Sequence, residues 1–138
     1  MSIGIKIKKG LDLPIAGTVA DKLSITVKPT PSVAINPDDF IGLVPKMEVR
    51  EGDAVLAGQP LFHDKRHEEI KVVSPAAGKV KAVVRGERRQ ILRVEVEVAG
   101  NEAKQLSVED VFSSPVKAKS LLLESGLWAM MSQRPYAV

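Results

Sequence analysis

The chain has 138 residues, 44% hydrophobic and 27% charged, which is one domain's worth with enough apolar side chain for a small core and no compositional sign of disorder. A net charge of +3, spread over interspersed acidic and basic residues, and only one Trp, one Tyr and three Phe argue against nucleic-acid binding by long-range attraction or base stacking. The absence of cysteine excludes disulfides, Cys-ligated zinc, iron–sulfur clusters held by these residues and thiol nucleophiles, and no apolar run approaches the ~20 residues of a membrane-spanning helix.

Along the chain, Ile3, Ile5 and Ile7 alternate with Gly4, Lys6 and Lys8, the period of a half-buried strand that Gly10 ends. No hydrophobic signal region follows Lys6, Lys8 and Lys9. Pro14 and Gly17 bracket a connector too short for a helix, and Leu23, Ile25 and Val27 predict a second strand stopped by Pro29 and Pro31. Val33-Ala34-Ile35 predicts a short buried strand, followed by a turn at Asn36-Pro37-Asp38-Asp39.

From Val49 the pattern becomes specific. Gly52-Asp53-Ala54-Val55 and Gly58-Gln59-Pro60-Leu61 are apolar runs punctuated by glycines at turn positions that need positive φ or close backbone approach. After a polar tip, Ser74-Pro75-Ala76-Ala77-Gly78-Lys79-Val80 punctuates the return strand in the same way. This arrangement resembles the barrel-sandwich hybrid module of biotinyl and lipoyl domains. The clearest hairpin spans Lys79 to Val98: Val80 to Val84 is β-prone, Arg85-Gly86-Glu87-Arg88 supplies the tip, and Leu92, Val94, Val96 and Val98 alternate with Arg93, Glu95 and Glu97. That alternation puts Leu92 with the valines on the core face.

The pattern changes near Gly100. Ser107-Val108-Glu109-Asp110 predicts a short helix, with a hydroxyl cap ahead of two carboxylates. Ser114 as N-cap and Pro115 at the first helical position predict a stronger one, with Ala118, Leu121 and Leu122 on one face and Gly126 just past its end. Leu127-Trp128-Ala129-Met130-Met131 predicts a further turn or two before Pro135, carrying large apolar groups with few residues left to cover them.

Three sets of residues bear on chemistry. Lipoyl and biotinyl domains present a modified lysine at a hairpin apex, and Lys65 sits in roughly that region; neither a Met-Lys-Met nor a Glu-Thr-Asp-Lys-Ala flank surrounds it, and the alternative reading is a solvated tip. His63 and His67, with Asp64 and Glu68, have an i, i+4 spacing that chelates a metal on a helix but not across a turn, so they are expected to form a surface cluster. Arg85, Arg88, Arg89 and Arg93 could attract an anion, yet Glu87, Glu95 and Glu97 neutralise the same hairpin. No Ser-His-Asp spacing, GxGxxG or phosphate-cradling loop is present, so no catalytic, cofactor-binding or metal-binding residue is assigned.

The N-terminal run Ile5-Lys6-Ile7-Lys8-Lys9-Gly10-Leu11-Asp12-Leu13-Pro14-Ile15-Ala16-Gly17 makes a family match specific. Joined in order by Val49-Arg50-Glu51-Gly52-Asp53, the Ser74 to Gly78 turn, Arg85-Gly86-Glu87 with Arg89, Leu122 to Trp128 and Arg134-Pro135, it resembles the A subunit of the sodium-translocating NADH:quinone oxidoreductases across essentially the whole chain. The resemblance implies a mainly β fold with C-terminal helices (α+β): a barrel-sandwich hybrid over residues 1–100, then short helices over 101–138 leading into a further domain absent from this chain. It further implies a peripheral subunit on the cytoplasmic face of the bacterial inner membrane. Its partners would be the other subunits of a respiratory complex and the remainder of its own polypeptide. The assembled enzyme would pass electrons from NADH through flavins and an iron–sulfur centre to ubiquinone, coupled to sodium export, with ubiquinone binding falling to the full subunit if to this one at all. Related flavin-binding subunits carry a glycine-rich loop in the region matching Leu127 to Tyr136, whereas no glycine follows Gly126 here, so no cofactor is expected on these residues. The alternative is an acyl- or carboxyl-carrier domain modified on Lys65.

Overall fold

The computed structural model describes residues 28–109 and 111–131. The strands expected around Ile5 and Ile25, the connector between them and the Arg134-Pro135 end lie outside the described residues. Among those described, no helix is long and apolar enough to cross a membrane.

Among the described residues, seven strands form two antiparallel sheets. They are β1 (Ser32–Ile35), β2 (Pro45–Met47), β3 (Ala54–Val55), β4 (Pro60–Asp64), β5 (Lys71–Val73), β6 (Gly78–Arg85) and β7 (Ile91–Val98). One sheet has the order β1-β7-β6-β3 and the other β2-β4-β5. Their inward side chains share one core, built on Val49, Val55, Leu61, Phe62, Val72, Val80, Ile91, Val94 and Val96. Phe40 meets Phe62 edge-on at 6.4 Å between ring centroids, which extends that core toward the β1–β2 connection.

The turns explain why the sheets close over so small an interior. Arg50 and Asp53 tie each other, Arg50 N–H donating to the Asp53 carboxylate at 2.8 Å and Asp53 N–H to the Arg50 carbonyl at 3.2 Å. Gly52 and Gly58 take the positive φ expected of them. Gly78 has a different reason to be glycine: a Cβ there would overlap the Glu97 carbonyl of the neighbouring strand. Ser74 is buried, and its hydroxyl donates to the Ala76 carbonyl at 2.7 Å, so the Ser-Pro-Ala turn is closed from inside.

The β6–β7 hairpin matches the alternation, with Val94 and Val96 fully buried, but its tip departs from it. Val84 pairs with Arg93 and Arg85 with Ile91, leaving Leu92 as an extra residue in the ladder. Leu92 is therefore 40% exposed, not part of the core, and Ile91 fills the inward place. A second irregularity between Val80 and Ala82 frees the Val83 N–H, which donates to Glu51 Oε1 at 2.7 Å.

Val33 to Ile35 forms β1 as expected, half-buried on its inward side, and the turn after it is a 3-10 turn at Pro37–Asp39. The helix predicted from Ser107 is only a 3-10 turn at Val111–Ser113. The one from Pro115 is present as α1 (Pro115–Glu124), and Gly126 follows at φ +76. A 3-10 turn over Leu127–Met130 closes the described residues. Among the described residues the C-terminal part has one α-helix, flanked by 3-10 turns.

Candidate functional site

Two places combine exposure with unusual chemistry: the β4–β5 connection and an apolar groove beside the C-terminal 3-10 turn.

The β4–β5 connection starts later than its polarity suggests. His63 and Asp64 belong to β4 and are buried, so the surface cluster expected of His63, Asp64, His67 and Glu68 is not what forms. In the register of the smaller sheet His63 lies opposite Lys46 of β2 on one side and Lys71 of β5 on the other. Glu48 and Glu68 are interleaved with this row. His63 Nδ1 donates to Glu48 Oε1 at 2.7 Å, Lys46 Nζ donates to Glu68 Oε1 at 3.0 Å, and Lys71 Nζ lies 3.8 Å from Glu48 Oε1. The hydrogen bond and charge of Lys46, aided by the charge of His63, hold the Glu68 carboxyl below its ordinary pKa. His63 Nε2 is buried without a hydrogen-bond partner among the described residues, 3.9 Å from Glu68 Oε1.

Asp64 points its carboxylate at backbone. Val44 N–H donates to its Oδ1 at 3.0 Å, and Arg66 Nε lies 3.9 Å away. Burial alone would raise this carboxyl's pKa; the hydrogen bonds from the Val44 and Arg66 N–H groups, with the charges of Arg66 and His67, outweigh burial and leave it lowered. Asp64 therefore organises the turn from beneath. The Arg66 guanidinium also donates to the Gly42 carbonyl, joining the β4–β5 connection to the β1–β2 connection.

Lys65 is exposed, but it stands at the foot of the connection. Its N–H donates to the Val44 carbonyl at 2.8 Å, and Asp64 N–H to the Ile70 carbonyl at 3.0 Å closes the loop beyond it. Among the described residues no group of three or more His, Cys, Asp or Glu side chains is placed to hold a metal. Of the hairpin arginines, Arg93 pairs with Glu95 at 2.7 Å, while Arg88 and Arg89 project from the tip.

The groove is the feature that residue-by-residue reading missed in part. Ala34 and Ile35 of β1, Phe40 and Ile41 beyond it, Val73 at the end of β5, and the Leu127–Met130 turn surround a cavity of about 680 Å³. Gly126 seats the turn on the sheet: a Cβ there would lie 2.8 Å from Val73 Cγ1, so only glycine lets the backbone pass at this height. Ala129 touches the core, and Trp128 is half-buried with Lys119 Nζ 5.2 Å above its ring. The apolar end flagged in the sequence is thus partly packed. What stays open is its other face, and Ile41 from a distant part of the sequence adds to it.

Two small antiparallel sheets locked by glycine turns around one core define a small β-module. Comparison with known proteins places it more closely. The profile described as the NqrA N-terminal barrel-sandwich hybrid domain matches residues 5–99, and the chain belongs to that family. Proteins named as the A subunit of Na(+)-translocating NADH-quinone reductase are similar to it: 41% identical in Hahella chejuensis and 42% in Alcanivorax borkumensis over 137 residues each, and 40% over 139 residues in Vibrio anguillarum. Each similarity covers 96% of this chain, and the chain spans 30% of the length of those relatives.

Proposed function

We propose that this chain is the N-terminal part of a peripheral subunit of a respiratory sodium pump, the complex that transfers electrons from NADH to ubiquinone and exports sodium. Its part there is docking and support, with no catalytic residue of its own. The observation that carries the reading is identity of about 40% over 96% of the chain to proteins named as the A subunit of the reductase. In this reading residues 1–100 are the barrel, and 101–138 lead into a further domain. The other subunits are its partners at the cytoplasmic face of the inner membrane. NADH, flavins and the iron–sulfur centre belong to the assembled complex, and any contact with ubiquinone belongs to the full-length subunit.

The test is to tag the amino terminus of the native full-length protein, then purify it from membranes. Co-purification of the remaining subunits with sodium-stimulated quinone reduction is the expected result. A tagged protein that comes down alone, or with a soluble acyltransferase or carboxylase and an added mass on Lys65, would sink the reading in favour of a carrier domain.

A further inference from the structure

The groove collects more exposed apolar side chain than the rest of the described surface explains. Ile41 is 75% exposed, Met130 73%, Met131 59% and Leu127 50%, and all four line the same cavity. Scattered single apolar residues are ordinary on a protein surface; four large ones converging on one trough mark a contact surface. Asp39 is the charged side chain in its wall among the described residues, so the occupant must be predominantly apolar. Two of the four are methionines, whose flexible side chains adapt to a packed neighbour.

We propose that this groove seats a segment of the same polypeptide that follows the present residues in the full-length subunit. The inference rests on the reading that the chain is the front of a longer subunit, and it says where the longer part docks. Two observations select this occupant. The chain spans 30% of the length of its relatives, so the greater part of such a subunit lies outside it. The described backbone also runs along the groove, since Leu127 to Met131 are its wall, and a segment tethered there reaches it at a loop-closure cost that grows only slowly with length. A separate protein would have to give up its translational freedom to occupy the same trough.

The experiment uses the full-length subunit with its other cysteines replaced by serine, carrying Ile41→Cys, Met130→Cys or Met131→Cys one at a time. The rate of maleimide reaction is compared with that of Lys81→Cys, on the exposed side of β6, and each rate is normalised to that of the urea-unfolded protein. In the isolated full-length subunit the groove thiols are expected to react about 10-fold more slowly than the control or slower still, because reaction then waits for local opening. Reaction at the control's rate would overturn the proposal. Protection that appears only in the assembled complex would assign the groove to a neighbouring subunit, and protection that rises with protein concentration would assign it to a second copy; either outcome overturns the proposal as well. The two readings fail separately: a tagged subunit that brings down no partners counts against the pump, whereas freely reacting thiols in a subunit that does bring them down count against the groove alone.

Discussion

The barrel and the C-terminal arm solve the problem of burying apolar surface in opposite ways. In the barrel, Leu61, Phe62, Val80, Val94 and Val96 are almost completely removed from water and each faces several others across the two sheets. In the arm, α1 contains no buried residue at all, and the 3-10 turn after it holds on through Ala129 and the close passage of Gly126 over Val73. A short helix with no buried face gains little from packing, and isolated helices of fewer than about 12–15 residues are marginal in water. Among the described residues the arm therefore gains far less from burial than the barrel does.

The largest expected effect comes from the barrel. Phe62→Ala removes a ring with no exposure from between the sheets and leaves Phe40 without its edge-on partner. It should cost about 3–5 kcal/mol, read from the urea midpoint by far-ultraviolet circular dichroism. A loss below about 1 kcal/mol would mean the two sheets are not clamped through this side chain.

Asp64→Ala should cost about 1–3 kcal/mol, because it removes the part-buried bond that the carboxylate accepts from the Val44 N–H, and Asp64→Asn should cost less, because an amide oxygen can still accept that bond. The acid response gives the sign. Since the Asp64 pKa is lowered on folding, its contribution is fully present above the unfolded-state value of about 4 and is lost as pH falls through the folded-state value. The urea midpoint of the wild-type protein should therefore fall more steeply below about pH 4 than that of Asp64→Asn. Parallel curves would show that the Asp64 charge does not stabilise the fold.

Gly126→Ala tests the arm at its anchor. Left-handed backbone with a Cβ costs about 1–2 kcal/mol, and here the added methyl also meets Val73. The single Trp is Trp128, in the arm, so its fluorescence reports the arm while circular dichroism reports the strands. The expected result is a fluorescence transition that moves to lower urea ahead of the circular dichroism transition. Val73→Ala added to Gly126→Ala should restore part of the loss by making room, but not the part owed to φ. Coincident transitions in both variants would show arm and barrel to be one cooperative unit and end the distinction between them.

What could be read from sequence follows the same divide. The β6–β7 hairpin and the Ser74 to Gly78 turn were legible because alternation and turn chemistry are local signals. The end of β4 was not: His63-Asp64-Lys65-Arg66-His67 reads as a tip because it is polar, and only the fold, which brings Glu48 to His63 and the Val44 N–H and Arg66 to Asp64, makes burial of its first two residues tolerable in electrostatic terms. The groove was half legible. Leu127, Met130 and Met131 announce an uncovered surface from their own stretch, whereas Ile41 joins them only through the fold.

The smallest prediction concerns the hairpin tip and has the opposite sign. Gly86 looks like the residue that turns the backbone, yet its φ is −97, and the left-handed positions are Arg88 at φ +53 and Arg89 at φ +64. Gln90 N–H donates to the Glu87 carbonyl at 3.1 Å, so Glu87 to Gln90 is a type I′ turn with two arginines where Asn-Gly is favoured. Replacing them by Arg88→Asn with Arg89→Gly should raise stability by about 1 kcal/mol, since glycine removes the Cβ crowding at position 89 and asparagine tolerates left-handed backbone at position 88 better than arginine, while the exposed charges lost are worth little. The gain should appear in the circular dichroism transition and leave the Trp128 signal in place if the arm is a separate unit. A loss of stability instead would mean that the arginine side chains hold the tip through contacts stronger than its backbone strain.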